Sequence, residues 1–234
     1  MNETLPRPSR EEIAELEPFA GLVLDRVCVP TTPEEIRQAF AELSTRAWLG
    51  FDTESKPTFA RGESSGGPHL VQFATLETAY LFQLQREDCC EAVSALLASP
   101  GILKVGFGLD TDMVQIRTRL GVNPTAVLDL DEIFRLKGHG RSLGVKSAVA
   151  IVFGLNFHKS RRMTTSNWSE ARLSERQLLY AANDAYAAAR VYQELGTPAP
   201  PPVVIPEPKP DPRRRPRRVR RRRPGGEDSR TAAA

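Results

Sequence analysis

Cysteine and histidine are scarce in this chain, and their scarcity excludes a good deal. Its 234 residues include three cysteines (Cys28, Cys89 and Cys90) and three histidines (His69, His139 and His158). Two of the cysteines are adjacent, and adjacent cysteines rarely bridge, so a disulfide framework is not expected. The cysteines have no metal-ligand spacing, and neither do the histidines. This argues against a zinc site built from thiolates and imidazoles. Long apolar runs are also missing. None approaches the roughly 20 residues of a membrane span, so no membrane partner is expected. Residues 1–17 are charged and carry no apolar signal-peptide core. The expectation is an intracellular protein, cytoplasmic in a bacterium or nuclear in a eukaryote.

Neither sign of charge dominates the whole chain, but the balance of +3 conceals two different parts. Residues 205–234 hold eleven Lys/Arg and four Asp/Glu, a balance of +7. Residues 1–204 hold the other 21 Lys/Arg and 25 Asp/Glu, a balance of −4. The body is mildly acidic and the tail strongly basic.

The body alternates strand-like and helix-like segments. Ser9-Arg10-Glu11-Glu12 and Thr32-Pro33-Glu34-Glu35 read as capping boxes that open helices. Ile36, Ala39, Phe40 and Leu43 follow the second box at helical spacing. Apolar runs predict strands at 22–29, 48–54, 70–74, 79–84, 102–107 and 127–130, with the third and fourth paired as a hairpin. Helices are expected at 87–98, from about 109 to 120, at 142–153 and at 174–195. Such mixing argues an α/β fold with a partly parallel, mixed β-sheet flanked by helices. Residues 1–20 form an N-terminal segment with a short helix, and 21–196 the main domain. Residues 197–234 turn Pro-rich and then Arg-rich, the composition of a disordered basic tail.

Asp52 and Glu54 close the strand at 48–54. Residues two apart on a strand share a face, so two carboxylates stand side by side. A divalent cation between them would relieve their repulsion, and a solvated strand end is the competing reading. Asp110 and Asp112 lie near the start of a helix, where the dipole favours negative charge. Asp110 can serve as a simple cap, and Asp112, two residues deeper, is the better candidate for a site. Tyr180 and Asp184 are four apart on one face of the last helix, among alanines and leucines. A buried acid there needs a partner.

Phe51-Asp52-Thr53-Glu54, the Gly-x-Gly-x-x-x-Asp that ends at Asp112, and Tyr180-x-x-x-Asp184 occur in the order of three known motifs. They resemble the motifs of the DEDD 3′–5′ exonucleases of the DnaQ-like superfamily, in the subclass with a tyrosine in the third motif. The resemblance is closest to the Werner-syndrome-type exonuclease domain, with ribonuclease D further off. It extends over about residues 21–195. Leu70-Val71-Gln72-Phe73-Ala74, Ser142-Leu143-Gly144-Val145-Lys146, Ser166-Asn167-Trp168 and the stretch around Tyr180 add support.

The resemblance implies a ribonuclease-H-like sheet of about five to six strands. It implies two divalent ions, Mg²⁺ with Mn²⁺ as substitute, held by Asp52, Glu54, Asp112 and Asp184. It selects Asp112 over Asp110. Two such ions, roughly 3.5–4 Å apart, stabilise the attacking and leaving oxygens of a phosphodiester. Tyr180 would orient the attacking water. The implied substrate is single-stranded or 3′-ended DNA or RNA, and the product a nucleoside 5′-monophosphate.

Substrate contacts are expected from Lys159, Arg161 and Arg162, as cations for phosphates. Trp168 can stack a base or pack in the core. Leu70 and Phe73 can wedge the terminal base or serve as core strand residues. The tail packs nine arginines into eleven residues: Arg213, Arg214, Arg215, Arg217, Arg218, Arg220, Arg221, Arg222 and Arg223. It reads as a nucleic-acid arm, with an address signal as the rival reading. Two other functions compete: a non-catalytic nucleic-acid-binding module, and an exoribonuclease specific for RNA or oligoribonucleotides. The sequence sets no oligomeric state.

Overall fold

The computed structural model describes residues 5–58, 65–140 and 142–196. The basic tail, with all of its arginines, lies outside the described residues. Six strands form one sheet: β1 (Val27–Cys28), β2 (Trp48–Glu54), β3 (Leu70–Ala74), β4 (Ala79–Gln83), β5 (Leu103–Gly106) and β6 (Val127–Asp129). Their order across the sheet is β1-β4-β3-β2-β5-β6. The β2-β3 and β3-β4 pairs are antiparallel, and the other three pairs are parallel. The sheet is therefore mixed, with the expected hairpin next to β2.

Eight helices are described: α1 (Arg10–Ala14), α2 (Pro33–Ser44), α3 (Glu87–Ala98), α4 (Asp110–Leu120), α5 (Leu130–Leu136), α6 (Gly144–Phe153), α7 (Arg161–Thr164) and α8 (Glu175–Leu195). The capping boxes expected at Ser9 and Thr32 are both formed, and Ser174 makes a third at the start of α8. None of the described helices is long and apolar enough to cross a membrane.

α8 lies against β2, β3 and β4. It can come this close because its inner face is alanine and β2 offers Gly50. A Cβ at Gly50 would lie 2.1 Å from the Ala185 carbonyl oxygen. Leu70, Ala74, Leu81 and Trp168 pack with Ala181, Ala182 and Ala185 on this side. Phe73 packs between Phe51 and Phe82 on the opposite face, tilted on the first and edge-on to the second, with ring centroids 5.6 and 6.1 Å apart. This alternation is the period-two pattern of a sheet buried on both sides.

One predicted strand is much shorter than expected. Of the strand at 22–29, Val27 and Cys28 alone pair, with Ala79 and Tyr80. Upstream, Asn183 of α8 occupies the backbone: its Oδ1 accepts from Leu22 N–H at 2.6 Å. Leu24–Arg26 then turns as a short 3-10 helix. A side-chain amide has taken the hydrogen bonds that a strand would offer its neighbour. Two short helices, α5 and α7, were not foreseen.

Candidate active site

β2 and α8 bring three acids together. Asp52 and Glu54 end β2 on the face that α8 covers, and Asp184 comes down from α8. Ligand oxygens of these three lie within 4.8 Å of one another. Asp184 is 4% exposed; its Oδ2 is paired with the Lys159 ammonium, and its Oδ1 has no hydrogen-bond partner among the described residues.

Asp112 joins from the flank. Thr53 points to the other face of β2, and its hydroxyl donates a short hydrogen bond to Asp112 Oδ1. Ser55 Oγ and Gln115 Oε1, 2.5 Å apart, tie the same two elements again. Asp110 is exposed and Asp112 half-buried, and Asp112 lies outside the group of three within 4.8 Å. The start of α4 is fixed from β6. Asp129 accepts from the N–H groups of Gly108 and Leu109 at 3.1 and 2.9 Å. Gly108 takes φ +66°, a conformation that suits glycine. Asp129 was missed in the sequence, although Asp129-Leu130-Asp131 repeats the acid-x-acid strand ending of Asp52 and Glu54.

The electrostatics follow from crowding. Burial, and then the Asp184 charge, push the Asp52 carboxyl well above the usual carboxylate range. Burial, with Asp52 and Asp184 adding to it, raises Glu54 to about 10. Burial also raises Asp112 and Asp184. Lys159 opposes these shifts, with its Nζ 2.8 Å from Asp184 Oδ2. Burial alone would lower the Lys159 ammonium, but Asp184 and Asp52 hold it above its ordinary value. The Tyr180 ring lies under that ammonium, 5.3 Å from the centroid. Its hydroxyl is 3.0 Å from Thr164 Oγ1. Burial first, then Asp184, keep the Tyr180 phenol protonated far above neutral pH. A cavity of about 160 Å³ opens beside the acids, lined by Asp52, Asp184, Lys159, Phe107, Asp131 and Val145.

Several expected substrate contacts are corrected. Trp168 is fully buried against Tyr180, with centroids 5.9 Å apart, so no base can stack on it. Leu70 and Phe73 are both fully buried, on opposite faces of the sheet. An odd spacing along a strand forces that, and neither can wedge a base. Lys159 faces the acids rather than open groove. Arg162 is exposed on α7, and the side chain of Arg161 lies outside the described residues. Thr53, Asp129 and Thr164 are the supporting residues that spacing alone did not single out.

A family model described as 3′–5′ exonuclease matches residues 27–198, which include every element from β1 to α8. The chain belongs to the 3′–5′ exonuclease family. This 3′–5′ exonuclease homologue is similar to a 3′–5′ exonuclease of Arabidopsis thaliana, 27% identical over 186 residues. That match covers 76% of this chain and 64% of the relative. It is also 29% identical over 150 residues to the bifunctional 3′–5′ exonuclease/ATP-dependent helicase WRN of Mus musculus. There the match covers 63% of this chain and 11% of the relative. The chain thus spans less than two thirds of either relative's length. Among solved structures, Trypanosoma brucei RNase D in complex with RNA U12 shares the fold, at TM-score 0.64 and 22% identity. That likeness covers 79% of this chain and 64% of the other. The expected ribonuclease-H-like α/β architecture is the one observed.

Proposed function

We propose that this chain removes nucleotides from the 3′ end of DNA or RNA, using two divalent cations, Mg²⁺ or Mn²⁺. The carrying observation is the convergence of Asp52, Glu54 and Asp184 within 4.8 Å, from two elements far apart in sequence. The donor set fits such ions. It is all carboxylate oxygen, which suits hard cations, and Asp184 Oδ1 is buried without a hydrogen bond. Asp52, Glu54 and Asp184 would hold one ion, with Asp52 shared and Asp112 completing a second. Bound there, the ions would stabilise the attacking and leaving oxygens of an in-line displacement.

The protein's own groups then do the positioning. Tyr180 keeps its proton, so its Oη can orient a water but is a poor base. Thr164 steadies that hydroxyl, and buried Trp168 props the ring from behind. Thr53 holds Asp112 at the flank. Arg162, Arg161 and the arginines between 213 and 223 would grip phosphates without reading sequence. Presence of the complete acid set with Tyr180 favours this reading over a non-catalytic binding module.

The test uses 5′-labelled single-stranded DNA and RNA with Mg²⁺, with chelator, and with Asp52→Ala. We expect a ladder shortening from the 3′ end. Chelator should abolish it, and the variant should slow it more than about a hundredfold, beyond the cost of losing a mere outer-shell partner. Tight binding without cleavage in Mg²⁺ or Mn²⁺ would sink the proposal and favour the binding module. Shortening of RNA alone would identify the exoribonuclease alternative.

A further inference from the structure

Lys159 stands in an unusual place for a substrate-gripping lysine. It precedes α7, yet it turns inward and lines the same cavity as Asp52 and Asp184. Its Nζ is 2.8 Å from Asp184 Oδ2, on a carboxylate that is almost wholly buried. Its own side chain is 34% exposed, so one end of it reaches the mouth of the cleft. The Tyr180 ring supports the ammonium from one side. Without a counter-cation, Asp52, Glu54 and Asp184 would repel one another across less than 4.8 Å.

We propose that Lys159 is a built-in stand-in cation: it neutralises Asp184 in the metal-free protein and competes with the divalent ion for that carboxylate. The inference rests on the metal-dependent reading above. A carboxylate oxygen that receives an ammonium at 2.8 Å has less to offer an ion. Metal entry therefore requires Lys159 to leave. The four-carbon stem lets it swing toward the solvent side without moving the backbone. Lys159 thus weakens metal binding while keeping the acid cluster folded without metal. Arg162, on exposed α7, faces no such acid cluster and serves as the control.

Two measurements test this. The first is Mn²⁺ binding by calorimetry to the wild-type chain, Lys159→Met and Arg162→Met, with thermal unfolding of each in chelator. Giving up a hydrogen bond to a charged group is worth about tenfold or more in an equilibrium. Lys159→Met should bind Mn²⁺ about tenfold tighter and melt lower in chelator, and Arg162→Met should do neither. Equal or weaker Mn²⁺ binding by Lys159→Met, with Mn²⁺ still bound by wild type, overturns the competition and leaves the exonuclease reading standing. No Mn²⁺ binding by any of the three overturns both. The second measurement needs no variant and stands even if Lys159→Met does not fold. Wild-type lysines are labelled with an N-hydroxysuccinimide ester with and without Mg²⁺, and mapped by mass spectrometry. Labelling of Lys159 should rise severalfold with Mg²⁺, and unchanged or reduced labelling overturns the proposal.

Discussion

Asp52, Glu54 and Asp184 crowd together where β2 meets α8, and the cost of that crowding makes the fold respond to pH. Each carboxyl is raised in the folded protein, first by burial. In the unfolded chain these groups return to ordinary values. Between the two values the folded state holds protons that the unfolded chain has released, so stability falls as pH rises. For Glu54 that window runs from 4.5 to about 10. The metal-free protein should therefore melt highest near pH 4–5 and progressively lower toward pH 9 (approximate bounds from the same linkage). On the metal-dependent function proposed above, Mg²⁺ at pH 8 should raise the melting temperature, because it would bind the ionised cluster of the folded state alone. Calorimetric melts in chelator across this range check the prediction, and a flat profile would count against a buried acid cluster. Thr53 makes a different point about single residues. Its side chain is on the wrong face to join Asp52 and Glu54, yet it anchors Asp112. Strand alternation places it correctly but gives no hint that α4 passes within reach.

α8 organises the site among the elements. Its alanines were legible as a buried helix, and its span agrees with the one expected at 174–195. Its distance from β2 was not legible, because that depends on Gly50 meeting Ala185. Gly50→Ala should force the helix outward and destabilise the protein by about 1–3 kcal/mol, as overpacking does. Urea denaturation measures the change. Activity should fall with it, since Asp184 rides one residue from the contact, and unchanged stability would show that α8 has room to yield. The two unforeseen helices, α5 and α7, are short. Seven and four residues carry too little periodicity to stand out from loops. α5 instead begins at the cap made by Asp129. The strand at 22–29 shows the converse: an apolar run satisfied strand propensity, but Asn183 claimed its backbone.

For the whole molecule, charge is divided rather than balanced. On the function proposed above, an acidic body of −4 would present carboxylates to a polyanion, and a tail of +7 would offset the repulsion. Deleting residues 205–234 should weaken nucleic-acid binding and flatten its dependence on salt, since counterion release scales with phosphate contacts. Cleavage of saturating substrate should persist. Fluorescence anisotropy at several salt concentrations measures the first effect, and a truncated protein with an unchanged salt slope would remove the tail from the binding surface.

Sequence alone determined the class of the fold, the order of its longer elements, and which four acids and which tyrosine are the candidates for a site. Those follow from periodicity, capping and motif order, which are local or one-dimensional properties. Tertiary structure alone decided that Trp168, Leu70 and Phe73 belong to the core, that Lys159 turns inward to Asp184, and that Thr53 and Asp129 support Asp112. A buried strand residue and an exposed wedge have the same one-letter code. They differ only in what packs against them: the close seat of α8 buries Leu70 and Trp168, and the phenylalanines of the opposite face bury Phe73.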